Sequence, residues 1–474
     1  MAQIIAFKSG LFFKAITILA GILLYGVYML STVHSSSLLK SSTESTTPSW
    51  KSIYLKNGLV SVRIVPGIGG RVMQYSLGDF GFFWINHDLE GKEPPESKLG
   101  LDNSWLNYGG DKLWPSPQGW DGDHQWPGPP DAVLDGGLYK ATVTEKNSEP
   151  VSVSLISQED SQSGIQFSRV IKIFDGTTRV SIDVTMKNID NKLRRWGIWS
   201  HTQLEASNRR KAKGYNKNYW AYCPLNKNSV HKNGYNVIFG RFENPEFKPD
   251  YENGIMRVHY EREVGKIGVD SNGGWVATVD GTAGKVFVQL FKFEGDKKYP
   301  NQASVEFWIN GHGQIKAYNR VITMSEDEES NPHVFESELV GPYTELKPGQ
   351  TTVFHYDWYA TTIGGNYPIL NCSDVGVICE PFNAIWNKNK LVITGRFGVF
   401  LKGAAKLLFI GGEQSSIIIT EEVGKVSPLH PLVLNLSPSP DICDHVKKAT
   451  AVNLLIFDDQ GRSIGEMAQV KIKR

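Results

Sequence analysis

Residues 179–188, RVSIDVTMKN, alternate strictly: Val180, Ile182, Val184 and Met186 fall on one face, Ser181, Asp183, Thr185 and Lys187 on the other. A period of two is the pattern of a half-buried antiparallel strand. IQFSRVIKIF (165–174) precedes it, and DGTT between the two predicts a tight hairpin turn. KVFVQLFKF (285–293), SVEFWIN (304–310) and TTVFHYDWYA (351–360) continue the series. The last is entered through LKPGQ, where Pro348 presets one turn dihedral and Gly349 supplies a positive φ. Long helical periodicity is hard to find, so the pattern predicts an all-β fold. That many strands in one segment require two large stacked sheets or a closed barrel.

IGGNYP (363–368) reads as a linker, and 369–474 holds a shorter series of strands such as KLVITGRF, AKLLFIG and AVNLLIFDD, which predicts a small immunoglobulin-like β-sandwich. The N-terminus has a different texture. Lys8 and Lys14 precede an apolar helix-like run, AITILAGILLYGVYML (15–30). Counted from Leu11 it approaches the roughly 20 residues that span a bilayer, and counted from Ala15 it matches the apolar part of an export signal, about 7–15 residues. An uncleaved anchor, with residues 11–30 in the membrane, and a cleaved signal are both open; basic residues ahead of the run send the body across in either case. The expected organisation is therefore a signal peptide or anchor at 1–34, a Ser/Thr-rich linker at 35–50, a large β domain at 51–362 and a small sandwich at 369–474, secreted or held outside the cytosol.

The net charge of +1 over 474 residues gives no electrostatic case for nucleic acid. Of four cysteines, three fall in the last quarter, where an oxidised pair such as Cys372–Cys379 or Cys379–Cys443 is expected without its connectivity being readable. Asn371 and Asn435 sit in glycosylation sequons. PGIGG (66–70) is a hairpin turn and not a dinucleotide loop, no phosphate-loop or zinc-protease pattern occurs, and no cofactor is expected.

The candidate chemistry lies elsewhere. WLNYGGDKLWPSPQGWDGDHQW (105–126) places four tryptophans among Gly, Pro, Asp and Asn, and reads as an irregular segment. Indoles on a loop either plug the open end of a sheet core or stack on the apolar face of a ligand, for which sugar rings are the usual partners. Trp105, Trp114 and Trp120 are the stacking surfaces, with Asn107, Tyr108, Asp111, Lys112 and His124 as polar contacts and the glycines of NYGG allowing close backbone approach. Asp121, Asp123 and His124 do not have calcium-loop spacing, and no metal site is expected. In RWGIWSHTQLE (195–205), His201 is either a hydrogen-bonded core histidine or a proton donor. In HVFESELVGPY (333–343), Glu336 and Glu338 share one strand face, which is either solvated or a pocket wall.

Taken in order, NGLVSVRIVPGIGGRVMQYSLG (57–78), WLNYGGDKLWPSPQGW, WSHTQLE and ESELVGPYTELKPGQ resemble the galactose mutarotase-like superfamily, and more closely an uncharacterised bacterial branch marked by Asn-Tyr-Gly-Gly-Asp-Lys-Leu-Trp. The resemblance covers roughly 50–362. It implies a β-supersandwich with a carbohydrate on its concave sheet. It also implies an aldose-1-epimerase-like reaction, with His201 as acid, Glu338 as base, Glu336 as the alternative one pleat away, and Arg71 holding a hydroxyl or carboxylate. The chain departs from mutarotases where they carry Leu-His-Gly-Gly, having Leu106-Asn107-Tyr108-Gly109-Gly110 instead, and in the Thr202-Gln203-Leu204 that follows His201. Three functions follow as expectations: an exported carbohydrate-binding protein with epimerase chemistry, a non-catalytic glycan binder, or a polysaccharide-cleaving enzyme.

Overall fold

The structure, a computed structural model, describes residues 40–44, 50–92, 105–144, 150–211, 213–411 and 416–474. The apolar run at 15–30 lies outside these residues. No helix among the described residues is long and apolar enough to cross a membrane. Within the expected linker, Lys40–Glu44 forms a strand paired to Ser52–Lys56.

Strands paired antiparallel supply nearly all of the regular structure among the described residues. Two large sheets, of twelve and ten strands, and one separate two-stranded hairpin hold the strands up to residue 362. The ten-stranded sheet contains the strands whose alternation was plainest in the sequence, Ile165–Ile173, Val180–Asn188, Lys285–Phe291 and Thr351–Thr362. Val180, Ile182, Val184 and Met186 are fully buried, as a period of two requires. Their core is shared with the larger sheet, where Tyr75 meets Phe287 and Trp358 at ring separations of 5.8 and 6.0 Å. Packed aromatic pairs of this kind bury the most apolar surface per residue and hold the two sheets together.

Six strands of the twelve-stranded sheet carry the site: β1 (Arg71–Leu77), β2 (Asp111–Ser116), β3 (Arg194–Glu205), β4 (Gly265–Val269), β5 (Val305–Ile309) and β6 (Val334–Val340). Their order in space is β1–β2–β3–β6–β5–β4, so the twelve-residue β3 is central. The strand β2 corrects the reading of 105–126 as irregular throughout. Gly109 and Gly110 have φ of 91° and 71°, and a Cβ on them would lie 2.2 Å from Trp84 O and 2.6 Å from Val72 O. The two glycines thus admit the chain to the sheet against its own backbone, not against a ligand. Pairing to β1 is confined to Val72–Asp111, so beyond that point β2 has only β3 as neighbour and Pro115 is tolerated there.

The C-terminal strands form two four-stranded sheets around a second core that includes Ile393, Phe397, Leu407 and Leu454. This sandwich packs on the outer face of the ten-stranded sheet, where Tyr359 stacks on Phe400 at 4.5 Å. Ile363, within the segment read as a linker, is fully buried at this contact. Cys223, Cys372 and Cys379 are buried free thiols, so the expected Cys372–Cys379 pair is not formed. The register explains why: Cys372 lies opposite Val377, which leaves Cys379 a diagonal neighbour, and diagonal neighbours about 7–8 Å apart exceed disulfide reach. The side chain of Cys443 lies outside the described residues.

Candidate functional site

The β-sheet register builds the site. On the face of the twelve-stranded sheet turned away from the ten-stranded one, one row of directly opposed residues reads Lys112, His201, Glu338 and Glu306, across β2, β3, β6 and β5. The next row, two residues along, reads Gln203, Glu336, Trp308 and Lys266, across β3, β6, β5 and β4. Sharing one face, Glu336 and Glu338 are a buried wall and not a solvated surface, with relative exposures of 6% and 0%.

The two carboxylates differ in their partners. His201 Nε2 is 3.0 Å from Glu336 Oε2 and 3.8 Å from Glu338 Oε1. Glu336 Oε1 accepts from Gln203 Nε2 at 2.7 Å. Glu338 Oε2 accepts from Trp199 Nε1 at 2.6 Å and from Lys266 Nζ at 2.8 Å, and Lys266 donates at the same distance to Glu306. Glu338 is thus fixed in a buried ion-pair network, whereas Glu336 opens onto a cavity of about 360 Å³. His201, Glu336 and Glu338 offer ligand atoms within 4.8 Å of one another, a spacing that can hold a metal ion, but the Lys266 ammonium already supplies a positive charge at Glu338.

The cavity is walled by aromatic rings. Trp105, Trp114, Trp199 and Trp308 line it, and Trp114 lies 4.3 Å from the His201 ring. Trp120 also lines it, its ring tilted against that of Tyr318 with centroids 4.9 Å apart. Tyr318 belongs to a hairpin, Gly313–Ala317 with Arg320–Met324, and donates from its hydroxyl to Pro129 O at 3.1 Å. Tyr318 and Asn319 have φ of 51° and 56°, the left-handed conformation a two-residue hairpin turn demands. Hairpin and tryptophan segment therefore close on each other above the His201–Glu336 pair.

Burial sets the protonation of these groups. Burial, aided by the Lys112 charge, holds His201 well below its ordinary value and keeps it neutral. Burial also raises both Glu336 and Glu338, opposed chiefly by Lys112 for the first and Lys266 for the second. Lys112, fully buried with its ammonium 4.9 Å from the Trp114 ring and without a hydrogen-bond partner, is lowered to about 7 by burial and by Arg71.

Of the residues expected to meet a ligand, Trp105, Asn107, Trp114, Trp120, His201 and Glu336 line the cavity, and Lys112 and Glu338 stand directly behind it. Four others point elsewhere. Asp111 faces the space between the sheets, accepting from Ser200 and Thr202 and pairing with Arg169 of the opposite sheet. Arg71 is paired with Asp135 at 2.6 Å, and Asp135 accepts from Trp105 Nε1 at 2.9 Å, so this arginine braces the tryptophan segment. Tyr108 is buried in a separate apolar cluster with Trp50 and Ile68. His124 is exposed, as are Asp121 and Asp123, the last paired with Lys192. Lys266, Glu306, Gln203 and the 313–324 hairpin were missed; the one signal available was a lysine within the apolar run VGKIGV (264–269).

Fold and site define a large two-sheet antiparallel β protein with an aromatic-walled pocket built on a histidine–carboxylate pair. The chain belongs to the family described as domain of unknown function DUF4380, which matches residues 51–361. No curated protein matches it by sequence. Among solved structures, a TPR-domain containing protein from Parabacteroides distasonis ATCC 8503 is similar at 13% identity and a TM-score of 0.42, over 68% of this chain and 48% of that one, so the chain spans about half the length of that relative. A galactose mutarotase-like protein from Clostridium acetobutylicum is similar at 10% identity and a TM-score of 0.40, over 68% of this chain and 99% of its own. Another galactose mutarotase-like protein, from Lactobacillus casei ATCC 334, shows 11% identity and a TM-score of 0.40, over 65% and 99%. The chemistry of the site therefore rests on its own geometry.

Proposed function

We propose that the pocket binds a saccharide and that His201 and Glu336 interconvert its anomers by acid–base catalysis. One group gives a proton to the ring oxygen while the other takes the proton of the anomeric hydroxyl. The bond from the anomeric carbon to the ring oxygen breaks, rotation of the open aldehyde follows, and closure on the other face returns both protons. The two oxygens share one carbon, so their partners must be adjacent. The observation that carries this reading is the 3.0 Å separation of His201 Nε2 and Glu336 Oε2 at the floor of an indole-walled cavity. Burial lowers the imidazole and raises the carboxyl, which brings their proton affinities together and suits the pair to pass protons in either direction between the two sugar oxygens. The apolar run at 15–30 extends the proposal to a site outside the cytosol, which cell fractionation tests.

The test is anomer interconversion followed by polarimetry, with binding followed by saturation-transfer NMR. His201→Asn and Glu336→Gln should each abolish acceleration while leaving sugar contacts. Binding without acceleration in the wild type would reduce the protein to a glycan binder, and unchanged rates in either variant would reject the assigned pair.

A further inference from the structure

The charges around the cavity do not balance. Three buried carboxylates, Glu306, Glu336 and Glu338, share this face with two buried ammonium groups, Lys112 and Lys266. Lys266 is spent between Glu306 and Glu338, at 2.8 Å from each, with its ammonium 4.2 Å from the Trp199 ring. The lining residues of charged type are His201, Lys266 and Glu336. Glu336 thus faces the cavity in contact with Gln203 and neutral His201, while the Lys112 charge reaches it from behind the wall without a hydrogen bond. An anionic ligand meets no uncommitted cation among the described lining residues, whereas a cation meets one carboxylate framed by Trp114, Trp308 and Trp105. Indole faces attract cations, and a desolvated carboxylate does so more strongly.

We infer that the pocket selects a positively charged ligand, a saccharide carrying a free amino group in preference to a neutral, acylated or acidic one. This inference rests on the carbohydrate reading for its ligand class and on the charge count for its sign. The bound ammonium occupies the place of the missing counter-charge beside Glu336, so its arrival displaces a proton from the cluster formed by Lys112, His201, Glu336, Glu338, Lys266 and Glu306. Arg71 and Asp135, behind Lys112, are paired with each other and contribute little net charge.

The experiment uses the whole chain, with EDTA present so that trace metal is not the cation. Calorimetric titrations with glucosamine, glucose, N-acetylglucosamine and glucuronate should place glucosamine roughly tenfold ahead of glucose and N-acetylglucosamine, the order of one charge-assisted contact, with glucuronate weakest. Glu336→Gln, which keeps the shape of the side chain, should bring glucosamine level with glucose. Tetramethylammonium, which cannot titrate, should quench tryptophan fluorescence in the wild type and bind more tightly at pH 8 than at pH 6. Equal binding of glucose, glucuronate and glucosamine would overturn the inference and leave the carbohydrate reading standing. Binding of tetramethylammonium with no response to any sugar would keep the preference for positive charge and remove the carbohydrate reading.

Discussion

His201 and Glu338 are directly opposed in the β3–β6 register, yet the carboxylate that meets the imidazole is that of Glu336, one pleat along, at 3.0 Å against 3.8 Å. Trp199 and Lys266 hold the other oxygen of Glu338.

Exchanging each carboxylate for its amide should separate these two parts. Glu336→Gln should lower the rate of anomer interconversion by at least about 10²-fold, the usual scale for loss of a proton-transfer group, with little change in urea midpoint. Glu338→Gln should instead cost stability, about 3 kcal/mol, because it leaves Lys266 short of a buried counter-charge. Parallel denaturation and polarimetry on the two variants check this, and equal stability losses would show that both glutamates serve the fold.

Lys112 should make the fold's stability depend on pH on the alkaline side. Its amine is lowered from 10.5 to about 7, so between these values the unfolded chain holds a proton that the folded chain has released. Stability then rises with pH across that window, and the penalty is nearly complete at pH 7 and below. Lys112→Met, which retains the apolar stem over Trp114, should raise stability at pH 7 by on the order of a few kcal/mol and flatten the rise between pH 7 and pH 10. Guanidinium titrations at pH 7 and pH 9 measure both effects.

His201 and the glutamates act oppositely in acid. A histidine kept neutral in the fold costs stability as pH falls below 6.5, because the unfolded ring takes up a proton that the folded ring refuses. A carboxyl raised in the fold, as in Glu336, does the reverse, binding its proton in the folded chain first and losing stability as pH climbs above 4.5. The two contributions have opposite sign, the histidine's beginning below pH 6.5 and the glutamate's above pH 4.5. His201→Asn removes the histidine's contribution, so the variant's stability relative to the wild type should fall as pH rises toward 6.5, a difference that paired thermal melts at pH 4.5 and pH 6.5 read directly.

Much of the fold was legible because its strands are half-buried: Val180, Ile182, Val184 and Met186 announce their face through a period of two. The strand β2 was hidden because its glycines and Pro115 are loop residues by composition. Without the strand there was no parity by which to see that Lys112 and Trp114 turn to the pocket while Asp111 turns to Arg169. Glu336 and Glu338 had the right parity, but whether their face is wet depends on Lys266, Trp308 and the 313–324 hairpin, which come from other parts of the chain. Periodicity along one strand carries no record of what the next strand supplies.

The brace from Arg71 through Asp135 to Trp105 should be a stability element with a spectroscopic signature. Asp135→Asn breaks a buried ion pair and should cost about 3–5 kcal/mol, with a shift in tryptophan emission as Trp105 loses its acceptor. Trp120→Ala should behave in the opposite way. The residue is partly exposed, packs at a tilt on Tyr318 and donates one hydrogen bond to Pro127 O, so stability should change by about 1 kcal/mol while sugar affinity falls roughly three- to tenfold.

The two rows of opposed residues that run from β2 to β4 also police the assembly of the sheet. Sliding β3 past β6 by a single residue would turn His201 and Gln203 into the space between the sheets, where Asp111 and Arg169 are paired, and leave Glu336 and Glu338 facing Ser200 and Thr202, whose proper partner is Asp111. Every such misalignment strands unpaired charge in a dry interior, so the groups that perform chemistry double as the notches by which the strands find their correct alignment.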